Sequence, residues 1–474
     1  MNKTLAALFA FFVFLSAAVA QQDSPRHAAP SSAKKRADLL VTGGIVVTMD
    51  PSRRVIPGAA IAVRGDSILA VGSRGEIEAA YSSPRRLDAT GKLILPGLIN
   101  GHTHAPMTLL RGLKDDVTLD VWLTKYIFPA EAKNVTEDFS RWGTRLAALE
   151  MIRGGITTFV DMYYFEDAVA EETKAAGMRG ILGETVIDFP VPDNKTPAES
   201  LAYNEKFFRR WQGDPLIQAA IAPHSIYTCS EKTLRDAAAL ARKYHAPILI
   251  HVAETQKERN DSLAKTGKSP VALLDFYGIL GPDVVAAHCI WVDSADQKLL
   301  AASGAGCVHN PSSNMMLASG VSPVPEMRAA GVHVGLGTDG PSGSNNDLDL
   351  MEEMDLAAKL QKVSKMDPRA LGAKEALEMA TIEGARAIHL DGEIGSLEPG
   401  KKADFILLGL DAPHAVPMYD VYSQIVYALK ASDVETVVIG GRIVMLHRRV
   451  LTLNEPAIIA KAREYKTKVE ASLK

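Results

Sequence analysis

The chain has 474 residues and a formal net charge of -4, and 47% of its residues are hydrophobic. This is the composition of an ordinary folded protein, and its length allows one large α/β barrel with a smaller second domain. The small negative charge gives no general attraction for nucleic acid or for an anionic membrane, so neither is an expected partner.

The first twenty residues have the form of a secretory signal peptide. Lys3 precedes an almost unbroken apolar run, Leu5–Ala18, which ends in the small residues up to Ala20. A membrane anchor is the alternative, but the run is short for a bilayer span and no second candidate follows. We expect cleavage near Ala20, export to the periplasm or the medium, and no membrane contact afterwards. Residues 21–36 then form a flexible leader.

Both ends of the folded region are rich in β-strand patterns. Residues 37–92 and 393–450 consist of short apolar segments interrupted by glycine, and each contains a hairpin-like pair, Gly43-Gly44 and Gly440-Gly441. We infer that the two regions build one composite β-sandwich domain. Residues 451–474 are expected to form a C-terminal helix.

Between these flanks, residues 93–392 alternate apolar strand patterns with amphipathic helical ones, which is the order of a parallel α/β fold. Eight strand-like segments, each followed by a stretch able to form a helix, predict a TIM-type (β/α)8 barrel. The segments are Leu93–Ile99, Thr157–Met162, Gly180–Val186, Gln218–His224, Ile248–Glu254, Val284–Cys289, Gly306–Pro311 and His333–Asp339. Helical periodicity is clearest in Glu137–Arg153, Glu231–Tyr244 and Leu348–Gln361.

The strongest chemical signal is the pair His102 and His104, directly after the first strand-like segment. Alternate residues of a strand point the same way, so both imidazoles can reach one metal ion. An isolated pair of this kind is more often two unrelated histidines, but this one lies where active sites of barrels assemble. His251 and Asp339 end two further strands. Three imidazoles and one carboxylate leave a coordination position open for water, whose pKa a divalent ion lowers from about 16 to about 7.

Two more polar residues lie at the same ends of strands. Glu254 follows His251 by three residues, so it can stand beside the metal without binding it, and we predict that it is the proton shuttle. The alternative is a surface glutamate paired with Lys257. His288 can bind the metal or hydrogen-bond the water and the substrate, and we favour hydrogen bonding. Among the remaining residues, the three cysteines have no paired spacing and are expected to be buried thiols.

These motifs together resemble the S-adenosylhomocysteine and 5′-methylthioadenosine deaminase group of the amidohydrolase superfamily. The resemblance covers nearly the whole chain after the leader, including the run from Glu398 to Asp404. The motifs that carry it are Asn100-Gly101-His102-Thr103-His104, His251-Val252-Ala253-Glu254-Thr255, Ala287-His288-Cys289, His309-Asn310-Pro311-Ser312-Ser313-Asn314 and Gly337-Thr338-Asp339-Gly340.

The resemblance implies a site for one divalent metal ion, usually zinc and sometimes iron. His224 ends the fourth strand, where two-metal relatives place a bridging lysine. In the family, the residue matching Glu254 protonates the ring nitrogen and carries a proton to the leaving amine. The residue matching Asp339 binds the metal and accepts the proton of water. Glu131 matches the acceptor for the ribose hydroxyls, and His224 matches a histidine that contacts the purine.

One position departs from the family pattern. Relatives that bind homocysteine have an arginine after the third strand, and the aligned residue here is Glu184. A second family arginine falls near Lys195, which lacks the bidentate fork of a guanidinium. If Glu184 faces the pocket, it should repel a carboxylate, and S-adenosylhomocysteine should be a poor substrate.

The sequence therefore predicts a small-molecule hydrolase, with deamination of an adenine-type nucleoside or a related amino-heterocycle as the leading reaction. A chlorohydrolase or an amide-cleaving enzyme on a heterocyclic substrate could use the same fold and ligands. A scaffold that has lost its metal is a third possibility, against which the intact ligand set argues. A homo-oligomer is compatible with the sequence.

Overall fold

The computed structural model describes residues 34–474. The predicted signal peptide, residues 1–20, and most of the leader lie outside the described residues. The last two residues of the predicted leader, Lys35–Arg36, form a short strand paired with Tyr81–Ser82, so the folded region begins slightly earlier than predicted. Between residues 34 and 474, no helix combines the length and the apolar character needed to cross a membrane. The three cysteines, Cys229, Cys289 and Cys307, are buried free thiols, as expected.

Eight parallel strands, hydrogen-bonded in sequence order, form the barrel. They are Leu98–Thr103, Ile156–Tyr163, Arg179–Val186, Ile217–Pro223, Ile248–Val252, Val284–His288, Gly306–His309 and Val334–Leu336. Seven of them contribute side chains to one buried apolar cluster, as in a barrel with a filled interior. The eighth strand meets the first where the N–H of Asp339 donates to the carbonyl of His102 at 3.0 Å. The predicted barrel is confirmed.

The predicted first strand, Leu93–Ile99, is divided between two sheets. Lys92–Pro96 pairs with Phe405–Gly409 outside the barrel, and only Leu98–Thr103 is a barrel strand. Gly97 stands at the break, where a Cβ atom would lie 2.1 Å from Oγ1 of Thr157. One apolar run of sequence therefore contributes strands to two buried sheets. Its hydrophobicity is the same on both sides of Gly97, so the sequence does not show where the first strand ends.

Helices surround the barrel and follow its strands. The main ones are Glu137–Arg153, Glu166–Ala176, Pro197–Trp211, Glu231–Tyr244, Gln256–Thr266, Pro270–Phe276, Ser294–Ser303, Pro311–Met316, Val324–Ala329, Leu350–Lys365, Ala373–Met379 and Ile382–Ala387. The third helix predicted from periodicity begins at Leu350 rather than Leu348, because the side chain of Asp349 caps its first turn. Before the first of these helices, Leu119–Val121, Trp122–Ile127 and Phe128–Asn134 form one continuous helical segment.

The chain ends build one separate sheet of nine strands. These are Leu39–Val47, Val55–Arg64, Ser67–Ser73, Arg86–Asp88, Lys92–Pro96, Phe405–Gly409, Val434–Ile439, Arg442–Leu446 and Arg449–Val450. Residues from both ends, such as Ile61 and Phe405, share one buried cluster, so the composite β domain is confirmed. The C-terminal helix, Glu455–Ser472, packs on Glu137–Arg153, where Tyr465 donates a hydrogen bond to Asp138.

A buried ion pair joins the two sheets. Nε and Nη2 of Arg179, on the third barrel strand, lie 3.1 and 3.0 Å from Oδ2 of Asp404. Oδ1 of the same carboxylate accepts the backbone N–H of Gly440 at 2.6 Å. The two side chains are only 7% and 3% exposed. Removing one partner would therefore leave a buried charge without compensation.

We expect Asp404→Ala to lower the free energy of unfolding by about 3–5 kcal/mol, because Arg179 loses its buried counter-ion. The matched control is Asp367→Ala, whose partner Arg369 is 88% exposed, and we expect it to cost less than about 1 kcal/mol. Denaturant unfolding of the purified protein measures both. Equal losses in the two variants would contradict the importance assigned to this ion pair.

Candidate metal centre

The barrel brings the predicted ligands together at the carboxyl ends of its strands. His102 lies in the first strand and His104 directly follows it. His251 lies in the fifth strand. Asp339 follows the eighth strand, with its backbone in the left-handed region at φ 63°. Residues far apart in sequence meet here because all the strands are parallel.

The geometry of these side chains fits a divalent metal ion. Oδ1 of Asp339 lies 3.3 Å from Nε2 of both His102 and His104. One ligand atom from each of His102, His104 and His251 falls within 4.8 Å of the others. The Nε2 atom of His102 is buried and has no hydrogen-bond partner. A buried polar atom without a partner, facing two imidazoles and a carboxylate, is suited to bind a cation.

The charges of the site favour the same conclusion. Burial lowers the pKa of His102 to about 4 and, with the neighbouring histidines, holds the pKa of His251 well below its ordinary value. Burial alone would raise the pKa of Asp339, but its close contacts with His102 and His104 hold it far below its ordinary value. Neutral imidazoles and an ionised carboxylate are the forms in which these residues bind metal. Burial opposes the charging of His104, yet Asp339 outweighs burial and raises the pKa of His104 to about 9.

Backbone carbonyls orient two of the imidazoles. His104 contacts the carbonyl of Met162 through Nδ1 at 2.5 Å, and His251 contacts the carbonyl of His224 in the same way at 2.8 Å. A hydrogen bond at Nδ1 fixes the tautomer in which Nε2 carries the lone pair. Both rings therefore present Nε2 as the ligand atom.

Glu254 and His288 lie beside the ligands. Glu254 is buried, which excludes the alternative of a surface glutamate, and Lys257 instead pairs with Asp261. Burial and the charge of Asp339 raise the pKa of Glu254 to about 8, so it carries a proton at neutral pH. Oε2 of Glu254 lies 3.9 Å from Nε2 of His288, and burial lowers the pKa of His288. His288 also falls within one ligand-sized group with His102 and Asp339.

The two residues expected to contact a nucleoside take different positions. The His224 ring lies 4.7 Å from the His251 ring and lines the cavity at the metal centre. Glu131 is buried on the helix Phe128–Asn134, where it accepts a hydrogen bond from the hydroxyl of Tyr163 at 2.7 Å. Burial raises the pKa of Glu131 to about 7, although the Tyr163 bond opposes the shift.

Glu184 does not take the expected position. It is fully buried at the end of the third strand and lines neither of the cavities described here. Its carboxyl accepts hydrogen bonds from the backbone of Glu166 at 3.0 Å and from Nδ2 of Asn194 at 3.1 Å. Burial and the neighbouring Asp193 raise the pKa of Glu184 well above its ordinary value. This corrects the expected role, because a neutral, turned-away carboxyl cannot repel a substrate carboxylate.

Two cavities adjoin these residues. The cavity at the metal centre has a volume of about 40 Å³. A second cavity of about 230 Å³ lies against Glu131. Phe128, Phe189 and Val191 form part of its wall, and Lys195 is its cation. The Nζ of Lys195 already donates to the carbonyl of Val191 at 3.0 Å. The apolar part of the wall can therefore hold a small apolar group.

The sequence did not identify several side chains that wall the metal-centre cavity. These are Leu119, Trp122, Leu123, Tyr227, Leu317 and Ser344. Tyr227 and Ser344 lie in the loops that follow the fourth and eighth barrel strands. Loops at this end of a barrel form the active site, so their position in the sequence could have identified them as candidates. Leu119, Trp122 and Leu123 come from the helical segment before the second strand, whose apolar residues resemble those of any packed helix.

Comparison with known proteins finds relatives that align along nearly the whole chain. The amidohydrolase family model matches residues 93–444. A 5-methylthioadenosine/S-adenosylhomocysteine deaminase of Syntrophus aciditrophicus is 46% identical over 92% of this chain and 98% of its own length. A 5′-deoxyadenosine deaminase of Methanosarcina mazei is 42% identical over 90% of this chain and 97% of its own length.

Solved structures agree with the sequence relatives. An adenosine deaminase from Xanthomonas campestris with bound zinc has a TM-score of 0.91 and 36% identity, over 93% of this chain and 100% of that one. An atrazine chlorohydrolase from Arthrobacter aurescens, with a TM-score of 0.84 and 23% identity over 90% and 100% of the two chains, shares the fold. The family match and the relatives that align along nearly the whole chain show that this protein belongs to the amidohydrolase family.

Proposed function

We propose that this amidohydrolase removes the amino group of an adenine-type nucleoside by hydrolysis and releases ammonia. The observation that carries the proposal is the position of Glu254, a buried carboxyl that lines the same cavity as the metal ligands and whose burial favours the protonated form. A ring nitrogen next to an amino-bearing carbon needs such a proton before the amine can leave. The deaminase relatives described above support the same reaction.

Each residue of the site has a part in this reaction. When bound, the metal ion acts as a Lewis acid that lowers the pKa of a water molecule. Asp339, ionised and buried, is placed to accept a proton from that water, and Glu254 is placed to give its proton to the ring nitrogen. The hydroxide that remains adds to the amino-bearing carbon. The proton held by Asp339 passes to the amino group, the new hydroxyl returns a proton to Glu254, and the carbon–nitrogen bond breaks as a carbonyl forms and ammonia leaves. His288 lines the same cavity, with its Nε2 3.9 Å from Oε2 of Glu254, so it is placed to hydrogen-bond the water or the substrate.

Zinc is the proposed metal. Imidazole nitrogens and carboxylate oxygens are among the ligands that zinc takes in proteins, and the Xanthomonas adenosine deaminase structure has bound zinc. Iron binds the same kinds of ligand and is the alternative. Metal analysis of protein purified without added metal distinguishes the two.

The second cavity gives the proposal a substrate class. Glu131 lines this cavity, and the ring of its partner Tyr163 lies 6.4 Å from the ring of His104, so Glu131 is placed to accept hydrogen bonds from ribose hydroxyls. A group on the 5′ carbon would then enter the cavity, whose walls include Phe128, Phe189 and Val191. We propose nucleosides with a small apolar 5′ group, such as 5′-methylthioadenosine or 5′-deoxyadenosine, which appear in the names of the relatives.

Export is part of the proposal and rests on the N-terminal sequence alone. The basic start, the apolar run Leu5–Ala18 and the small residues up to Ala20 support a secretory signal peptide. The deaminase would then act on nucleosides outside the cytoplasm.

We expect His102→Ala, His251→Ala and Asp339→Ala each to lose bound metal and nearly all turnover, because each removes a ligand. Glu254→Gln should keep stoichiometric metal and lose about 10²–10⁴-fold in kcat, the usual contribution of a proton carrier. Metal analysis and an ammonia-release assay measure both properties. Asp261→Asn, on the exposed surface of the next helix, is the control and should match the unchanged chain. Full metal and full activity in Asp339→Ala would refute the ligand assignment.

We expect 5′-methylthioadenosine and adenosine to exceed S-adenosylhomocysteine in kcat/KM by at least about tenfold, which corresponds to about 1.4 kcal/mol. The physical reason is that the apolar cavity would have to desolvate a charged homocysteine tail. Lys195→Ala should leave this ratio unchanged, since its ammonium group already binds a backbone carbonyl. A wild-type preference for S-adenosylhomocysteine would contradict the substrate class. Turnover of chloro-triazines with none of the nucleosides would contradict deamination itself.

We expect protein recovered from its native host to begin near Gln21 and its activity to lie outside the cytoplasm. N-terminal sequencing and cell fractionation test both points. Soluble cytoplasmic protein that retains Met1 would rule out export.

A further inference from the structure

The turn after the seventh barrel strand contacts residues of the metal centre, but none of its own residues has a part in the proposed reaction. The short helix Pro311–Met316 begins here, preceded by His309 and Asn310. Asn310, Ser313 and Asn314 are 0%, 0% and 1% exposed. Polar side chains this deeply buried require specific partners, and here the partners belong to the reacting groups.

Ser313 contacts the carboxylate of Asp339. Its hydroxyl donates to Oδ2 at 2.6 Å. The other oxygen, Oδ1, accepts the backbone N–H of Gly340 at 2.7 Å and is the one that faces the imidazoles of His102 and His104. The two hydrogen bonds fix the rotation of the carboxylate, so that one defined oxygen is directed at the metal position.

Asn314 contacts His288 in a comparable way. Its Oδ1 lies 3.2 Å from Nδ1 of His288, and its Nδ2 lies 3.4 Å from Nδ1 of His309. Nδ2 of Asn310 also lies 3.2 Å from the same nitrogen of His288. This nitrogen can therefore donate to Asn314 or accept from Asn310, and either tautomer of the ring has a partner. The opposite nitrogen, Nε2, stays directed toward Glu254.

We propose that Ser313 and Asn314 are positioning residues for the hydrolytic reaction, Ser313 by orienting Asp339 and Asn314 by orienting His288. The two act through different groups. Ser313 holds a metal ligand, so its loss should weaken metal retention as well as turnover. Asn314 holds a residue that assists proton transfer without binding the metal, so its loss should reduce turnover alone. These positioning roles depend on the proposed function only in the choice of 5′-methylthioadenosine as the substrate of the turnover assay.

The neighbouring Ser312 supplies a matched control. It lies on the same turn, but its backbone N–H donates to Oε2 of Glu353, on the helix Leu350–Lys365, at 3.1 Å. A hydroxyl removed here leaves both Asp339 and His288 with their partners. If the substitutions merely disturb the turn, Ser312→Ala and Ser313→Ala should change kcat and zinc loss equally. If Ser313 positions Asp339, only Ser313→Ala should change them.

The experiment compares Ser313→Ala, Asn314→Leu and Ser312→Ala in the zinc-loaded enzyme. Three readouts are needed: kcat and KM with 5′-methylthioadenosine, the rate of zinc loss to an excess of chelator, and the Tm of the metal-free protein. We expect Ser313→Ala to lower kcat and to accelerate zinc loss, each by about 10–100-fold, the range for residues that support metal ligands. Asn314→Leu should lower kcat at least about tenfold, with KM and zinc loss within twofold of the unchanged chain.

Several outcomes would overturn the proposal. Unchanged kcat and zinc retention in Ser313→Ala would remove the role of Ser313. Zinc loss in Asn314→Leu as fast as in Ser313→Ala would show that the turn acts only as a general support, as would an equal effect of Ser312→Ala. The roles of Ser313 and Asn314 are tested by separate variants. If one variant does not fold, the other still tests its own position. If the unchanged enzyme does not turn over the nucleoside, the proposed function fails, but zinc loss still tests Ser313.

Discussion

The buried negative charge of Asp339 is the constraint on which the rest of the site depends. An ionised carboxylate is costly inside a protein unless a cation or several hydrogen bonds compensate it. The histidines around it are mostly kept neutral by burial, and the exception, His104, is the one that Asp339 itself charges. A divalent ion bound here would take the place of the His104 proton as the positive charge that balances Asp339. The same ion then provides the Lewis acid that hydrolysis requires.

The barrel explains how so many polar groups can be buried together. Parallel strands end at one face, so polar residues at or just after several strand ends meet there, while the apolar residues of the strands fill the interior and contact the outer helices. The backbone also takes part, since carbonyls at the carboxyl ends of the second and fourth strands orient His104 and His251. A proton-bearing carboxyl, Glu254, and an ionised one, Asp339, coexist because their surroundings shift their pKa values in opposite directions. Such a pair can carry out acid and base steps at the same pH.

Much of this could be predicted from sequence, because both the strands and the ligands leave local signals. His102 and His104 were identifiable from their spacing and their place after a strand, and His251 and Asp339 from the ends of later strands. The division of one apolar run at Gly97 was not predictable, since both halves are equally hydrophobic and only a close approach to Thr157 sets the boundary. The direction of Glu184 depends on contacts with Glu166 and Asn194, which are set by tertiary packing. Ser313 and Asn314 were visible as a motif, but their partners were not.

The continuity of the chain through Gly97 has a thermodynamic consequence. Lys92–Pro96 belongs to the outer sheet, and two residues later Leu98–Thr103 carries His102 into the metal centre. The outer sheet therefore cannot come apart without disturbing the strand that holds a ligand. Metal binding and the integrity of that sheet are linked equilibria, so a tightly bound ion stabilises strands that it never touches. Chelation, conversely, should loosen the union of the two chain ends, and the availability of metal would help determine how long the whole protein survives proteolysis.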